Sequence, residues 1–283
     1  MPASPSPFFP FPWVAIALGL TLVASLMQVA CEKQGPPKTT SAATAPSAAP
    51  EHPESGESMA RQPLSRDLAQ IFALIRDRQS GPARVRLRNW LELHPNDGQA
   101  CFLFGLTYHR EKKYGEARPW FEKAIASAPD YAVSHYFLGW TLYWLGELTL
   151  ARREFETYLH SNPTEHDSHF ALGLICLDED DLAGAERLFN RSIDLLKESK
   201  LDDKAALSRA RARLGEVYER TDRLEDARRE LEEAVALYPD HYEALYKLYR
   251  VLVRLGQTQR ADEVHKQYIA TRERVRPGTS FPE

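Results

Sequence analysis

Hydrophobic positions divide the chain into three stretches of different character. From Trp13 to Ala30 no residue is charged and most are apolar (WVAIALGLTLVASLMQVA), and the run ends at Cys31. As a helix those residues would extend roughly 27 Å, close to the thickness of a bilayer's hydrocarbon core. Residues 32–63 are rich in Pro, Ala, Ser, Thr and Glu and show no apolar period, which predicts an extended spacer with nothing to bury. From residue 64 to residue 275 apolar positions return at helical spacing. The stretch 132–145 (AVSHYFLGWTLYWL) carries two stripes. Leu138, Gly139, Leu142 and Leu145 make one; Tyr136, Trp140, Tyr143 and Trp144, at i, i+4, i+7 and i+8, make the other. One stripe suffices to hold a helix against its neighbours. The second is expected to form an aromatic surface available to a partner, since exposed patches and Tyr or Trp clusters mark binding sites; the alternative is that close packing of neighbouring helices, or the chain's own linker or tail, covers these rings.

The third stretch repeats itself. Phe104-Gly105, Ala117, Phe121 and Pro129 form one set, and Leu138-Gly139, Ala151, Phe155 and Pro163 form the next, 34 residues on. Leu172-Gly173, Ala185 and Phe189 follow at the same interval. Leu214-Gly215, Ala227, Leu231 and Pro239 come after 42, an eight-residue insertion near Lys197 to Ala206. Leu248 and Ala261 lie 34 beyond, and a degenerate first copy carries Ala83, Leu87 and Pro95. At the two ends Ile71 and Tyr249 replace the glycine, and His265 replaces the aromatic residue.

These residues resemble the tetratricopeptide-repeat (TPR) pattern over the whole of 64–275. The resemblance implies an all-α solenoid of about six helix pairs, A and B, forming a right-handed superhelix, with a frayed tail at 276–283. In that pattern the glycine of helix A and the alanine of helix B allow close approach, Phe121, Phe155 and Phe189 are expected to fill the gap between units, and the prolines end helix B. One pair cannot bury its own apolar stripe, so stability requires the array. The insertion lacks the terminating proline and is expected to lengthen helix B of the fourth unit and helix A of the fifth.

The resemblance also implies an inner groove lined by helix A. In the second unit its positions hold Phe102, Leu106 and His109; in the third, Val133, Tyr136, Trp140, Tyr143 and Trp144; in the fourth, Phe170, Leu174 and Leu177. The fifth and sixth give Arg209, Glu216, Glu219, Arg220, Arg250 and Arg254. The expected groove is aromatic in its N-terminal half and charged in its C-terminal half. It suits an apolar or aromatic peptide with charged groups toward Arg220 and Arg250. Phe102, Leu106, Tyr136 and Trp140 do not match the Lys, Asn and Arg with which some TPR domains grip a chaperone's terminal carboxylate.

The end of the first apolar run resembles a bacterial lipoprotein signal, in which a small residue precedes the lipidated cysteine. Ala30-Cys31 fits and Val29 is compatible, whereas Gln28 stands where the pattern has an aliphatic residue and no Lys or Arg precedes the run. Lipidation at Cys31, an uncleaved single-pass anchor and a cleaved signal all remain open. Lys33 and Lys38 after the run favour a cytoplasmic domain by the positive-inside tendency; lipidation favours the extracytoplasmic side of the cell envelope, which is the expectation adopted here.

Composition narrows the chemistry. With 36 basic and 40 acidic residues the net charge is −4, without the basic excess of a nucleic-acid binder. Cys31, Cys101 and Cys176 match no zinc or redox spacing. His166 and His169 with Asp167, and His135 one repeat earlier, have the spacing of a metal site but stand at packing positions of the repeat. Asp178-Glu179-Asp180-Asp181 lacks the alternation and glycine of a calcium loop and reads as a turn with a helix cap. No nucleophile elbow, P-loop or dinucleotide fingerprint is present, and no cofactor or metal is called for. The sequence thus reads as a membrane-tethered scaffold that binds a partner peptide or protein. A glycan- or cell-wall-binding module and an accessory subunit of an envelope enzyme are the alternatives.

Tethering is tested directly: the full chain should sediment with membranes and resist high salt, and labelled palmitate incorporation should be lost in Cys31→Ser. Full-length protein that stays soluble without detergent would contradict the tether.

Overall fold

The computed structural model of the protein describes residues 64–199 and 202–277. Those residues form twelve α-helices and no strand. Unit one pairs α1 (Arg66–Arg76) with α2 (Ser80–Leu93), unit two α3 (Gly98–Arg110) with α4 (Tyr114–Ser127), and unit three α5 (Val133–Trp144) with α6 (Leu148–Ser161). Unit four pairs α7 (His166–Asp178) with α8 (Leu182–Glu198), unit five α9 (Lys204–Arg220) with α10 (Leu224–Leu237), and unit six α11 (Tyr242–Arg254) with α12 (Thr258–Val275). Each helix packs on its sequence neighbours, and each odd-numbered helix also contacts the next odd-numbered one. The A helices therefore form a continuous inner layer of the solenoid. The expected extension at the insertion is present: α8 and α9 have 17 residues each, against 12 to 14 in α3 to α7. The proposed anchor (1–31, with Cys31) and spacer (32–63) lie outside the described residues, as does the tail beyond Pro277.

The chain enters and leaves its helices by local chemistry. Ser65, Asp97, Glu165, Asp181 and Asp203 accept backbone N–H groups of the first turns of α1, α3, α7, α8 and α9. Pro95, Pro129, Pro163 and Pro239 follow the last residues of four B helices. Every A-to-B turn closes with the same long-range backbone bond, seen as Gln79 N–H to Leu74 O, Lys113 to Tyr108, Glu147 to Leu142, Asp181 to Cys176, Arg223 to Tyr218 and Gln257 to Leu252. This is the Schellman closure, and it needs a left-handed residue one position earlier. Arg78, Lys112, Gly146, Asp180, Asp222 and Gly256 supply it, all with φ between 58° and 78°.

Packing within a unit rests on one contact. A Cβ placed on Gly105 would stand 2.8 Å from the Phe121 ring, and on Gly139 or Gly173 would stand 2.9 or 2.7 Å from Phe155 or Phe189. In unit five Gly215 meets Leu231 in the same way. The phenylalanines therefore do not merely fill the gap between units, as expected. Each ring is seated on the glycine of its own unit, because only a missing side chain leaves room for a ring at the A–B crossing. Ala117, Ala151, Ala185 and Ala227 are fully buried on the B side. Unit six replaces the pair with Tyr249 and His265, whose rings stack at 4.6 Å.

Ion pairs then tie the B helices of units one to four to the turn of the following unit. Arg84 meets Glu111 at 2.8 Å, Arg118 meets Glu147 at 2.7 Å and Arg152 meets Glu179 at 2.5 Å. Each arginine directly follows the buried alanine of its B helix. At the fourth unit the polarity reverses, with Glu186 after Ala185 and Arg223 in the next turn. Such half-exposed pairs fix register more than they add stability.

Two substitutions separate the contacts from the turns. Gly139→Leu should destabilise by about 1–3 kcal/mol or more by forcing the Phe155 ring off helix α5. Gly146→Ala meets no atom within 4 Å, yet should cost about 1–2 kcal/mol because φ is +78°. Denaturant titration reads both; wild-type stability in Gly139→Leu would refute the ring-on-glycine contact.

Candidate functional site

The inner layer is where the groove residues fall, but the structure distributes them differently from the expected exposed stripe. Phe102 is fully buried among Phe121, Tyr131 and Phe137, with ring centroids 5.8, 5.3 and 5.4 Å away. Trp140 is fully buried as well, edge-on to Phe155 at 5.4 Å. Leu106 and Phe170 are buried, Phe170 against Phe189. Tyr136 and Tyr143 keep 9% of their surface each. Trp144 is half-buried and stacks on Tyr114 of α4 at 6.0 Å. The second aromatic stripe is thus largely covered. Neighbouring A helices approach closely enough that side chains on the inner side of one helix become the contact with the next.

Two carboxylates hold these rings. The Tyr136 hydroxyl donates to Asp167 Oδ2 at 2.6 Å, and the Trp140 indole N–H donates to the same oxygen at 3.0 Å. Asp167 is itself buried in the first turn of α7, where the helix N-terminus favours a negative charge. Seven residues along α5, the Tyr143 hydroxyl donates to Asp178 Oδ2 at 3.0 Å. Burial pushes the Asp178 carboxyl above its ordinary range, and burial beside Asp167 raises the Tyr136 phenol well above its own. Helix α5 is therefore pinned to both ends of α7. His109 is tied to α5 in the same manner. Its Nδ1 lies 2.9 Å from Thr141 Oγ1, and that hydroxyl donates to Phe137 O, so Nδ1 carries the proton.

The charged half is closed on itself. Glu216 accepts from Arg213 at 2.9 Å and from Lys247 of α11 at 2.6 Å. Burial opposes its ionisation, but Lys247 and Arg213 draw its carboxyl down to about 2. Arg220 reaches back to Leu177 O and Asp180, and Arg254, 34 residues on, reaches Glu219 O and Asp222 in the same geometry. Arg250 meets buried Glu219 at 2.9 Å. Arg220 and Arg250, expected to receive the charge of a ligand, thus already have acidic partners, though both remain exposed.

The other candidates are accounted for locally. His135 Nδ1 lies 2.7 Å from Glu154 and His169 Nε2 lies 3.1 Å from Pro163 O, so the two histidines serve different contacts. Among the described residues no group of His, Cys, Asp and Glu is arranged to hold a metal ion. In the acidic run Asp178 takes Tyr143, Glu179 takes Arg152, Asp180 is left-handed and Asp181 caps α8. Cys101 and Cys176 are buried free thiols. Ser208 and His241, 2.8 Å apart, have the look of a catalytic pair, but the serine is fully buried and also bonds Ala234 O. Sequence reasoning missed Asp167 and Asp178 as partners of the aromatic rings, because their offsets of 31 and 35 residues do not follow the repeat. No helix of the described residues is long and apolar enough to cross a membrane.

A stacked array of helix pairs with an inner A layer defines an α-solenoid. Its repeats are tetratricopeptide repeats: residues 166–240, spanning α7 to α10, and residues 98–131, spanning α3 and α4, match that family's profiles. No curated protein sequence matches the chain significantly. Among solved structures it resembles a chain of the APC/C hetero-tetramer Cut9–Hcn1, with TM-score 0.64, 17% identity, and 75% of this chain covered. This chain spans only 40% of that one. It also resembles PilW, a type IV pilus biogenesis factor, with TM-score 0.63, 19% identity, and coverage of 76% of this chain and 94% of the other. YrrB, described as a TPR protein with an unusual peptide-binding site, gives TM-score 0.51 and 17% identity over 65% and 91%. At these identities the likeness is one of fold.

The hydroxyl of Tyr136 separates packing from binding. Tyr136→Phe keeps the ring but deprives a buried carboxylate of a donor, and should cost about 1–3 kcal/mol of folding stability without any partner present. Chemical denaturation that finds no loss would show the Tyr136–Asp167 bond to be dispensable.

Proposed function

We propose that the protein is a membrane-tethered scaffold that holds a segment of another protein along the inner face of its A helices. The observation that carries this reading is the pre-ordered inner layer. Buried Phe102 and Trp140 build its floor, and Asp167 and Asp178 fix the orientation of Tyr136 and Tyr143, which each keep 9% of their surface. A partner that meets rings already held in place loses little further freedom on binding. Exposed Arg250 and Arg254 border the same face on α11. They would exchange or share their acidic partners with an acidic group of the bound segment. The peptide-binding site of YrrB and the pilus-assembly role of PilW belong to those proteins; they are compatible with such a scaffold on the same fold. The tether rests on the apolar run ending at Ala30-Cys31 and on the spacer, with the domain on the extracytoplasmic side. A glycan platform needs ring faces open to solvent, and Phe102 and Trp140 offer none.

Site-specific photo-crosslinking in the native host tests the face. A crosslinker at Arg250 or Trp144 should yield a discrete protein adduct, and one at Glu122 on the B side of unit two should not. Adducts equal at all three positions, or confined to Glu122, would refute binding along the inner face.

A further inference from the structure

The two ends of the described solenoid are finished differently. In units two to six the position of Arg66 is held by Ala100, Ser134, Ser168, Ala210 and Ala244, all buried. In α1 it is an exposed arginine, and exposed Gln70 stands where the other units bury Phe104, Leu138, Leu172, Leu214 and Leu248. At these positions the leading helix is thus polar, as suits a solenoid terminus in water. The trailing end is not. Tyr246 of α11 stands in the register of Leu68, Phe102, Tyr136, Phe170 and Ala212, and is 43% exposed where those are 9% or less. Val253 stands in the register of Ile75, His109, Tyr143, Leu177 and Glu219, again 9% or less, and is 53% exposed. On α12 Ile269 continues a position that is apolar in every unit, and is 39% exposed. Tyr246 packs on Tyr268 at 5.3 Å and Tyr249 on His265, so α11 and α12 present one aromatic and aliphatic face.

On α11 the cations reach back from this face toward unit five. Lys247, Arg250 and Arg254 all reach back to Glu216, Glu219 and Asp222 of unit five or its turn. What remains is self-complementary. Lys266 and Glu273, neither in an ion pair among the described residues, lie three residues before and four after Ile269 and on one side of it. Two α12 helices crossing antiparallel at Ile269 bring Lys266 of each copy opposite Glu273 of the other, twice. A face that pairs with the same face of a second copy is isologous, so the contact closes as a two-fold pair rather than a filament.

We propose that two copies of this chain associate through the α11–α12 faces, with Tyr246, Val253 and Ile269 at the centre and reciprocal Lys266–Glu273 pairs at the rim. Each helix pair takes the place that the next unit takes inside the solenoid. Two helices about 10 Å wide and up to roughly 27 Å long bury on the order of 1,000 Å² in total, the lower bound of a specific interface. The association is therefore weak and concentration-dependent. It leaves the A-helix surface of units two to five open, and its α12 part, Ile269 with Lys266 and Glu273, lies apart from the inner face, so the charge exchange below tests it separately from the inner-face reading.

Light scattering on the purified full chain in non-ionic detergent, with the detergent contribution subtracted, tests it. Across about 1–200 µM, the range of a small interface, the wild type should shift from monomer to dimer. Val253→Asp, an exposed substitution whose fold is checked by circular dichroism, should abolish the shift. Lys266→Glu or Glu273→Lys alone should weaken dimerisation at least several-fold, and the double exchange should restore it. That rescue arises only if both residues meet in a self-contact. A monomer throughout overturns the proposal and leaves the face to a helix of another protein. A dimer indifferent to Val253→Asp, or one that the charge exchange fails to rescue, overturns it equally.

Discussion

A ring seated on a glycine is the contact from which the rest of this structure is built. Gly105, Gly139 and Gly173 allow Phe121, Phe155 and Phe189 to sit where any side chain would collide. That fixes the distance and crossing of helices A and B within a unit. Once the crossing is fixed, the remaining apolar surface of each pair faces the next pair, and stacking follows because no unit can bury it alone. Where the contact changes, so does the role of the unit. Unit six stacks Tyr249 on His265 instead and leaves its far face apolar.

Polar groups add what apolar stacking lacks, a register. Apolar faces slide at little cost, whereas a buried carboxylate must find its donors in one arrangement. Asp167 takes Tyr136 and Trp140, Asp178 takes Tyr143, and Glu216 takes Arg213 and Lys247. They link α5 to α7 and α9 to α11 along the inner layer. The arginine–glutamate pairs from B helices to the following turns do the same on the outer side. The inner layer is therefore held in one register, and its charge is mostly compensated within the chain.

The repeat, its boundaries and its irregularities were legible in the residues alone. A spacing of 34 recurs in glycine, alanine, aromatic and proline together, and each of those residue types has a backbone or packing reason to stand where it does. The insertion near Lys197 was legible as lengthened helices because no proline interrupts it. The groove was legible only in outline. That Tyr136, Trp140 and Tyr143 share one side of α5 was legible, but the α7 carboxylates that anchor them were not.

Local sequence determined what depends on neighbouring residues: where helices begin and end, and which face of each helix is apolar. An apolar stripe records only that a side chain leaves water, not what it meets there. Tertiary structure alone decided whether Trp140 faces a partner or the next helix, whether Arg220 and Arg250 await a ligand or already hold Asp180 and Glu219, and why Tyr246 and Val253 are exposed while their equivalents in five other units are buried. Those outcomes turn on the distance between elements more than thirty residues apart, which no periodicity within a single helix encodes.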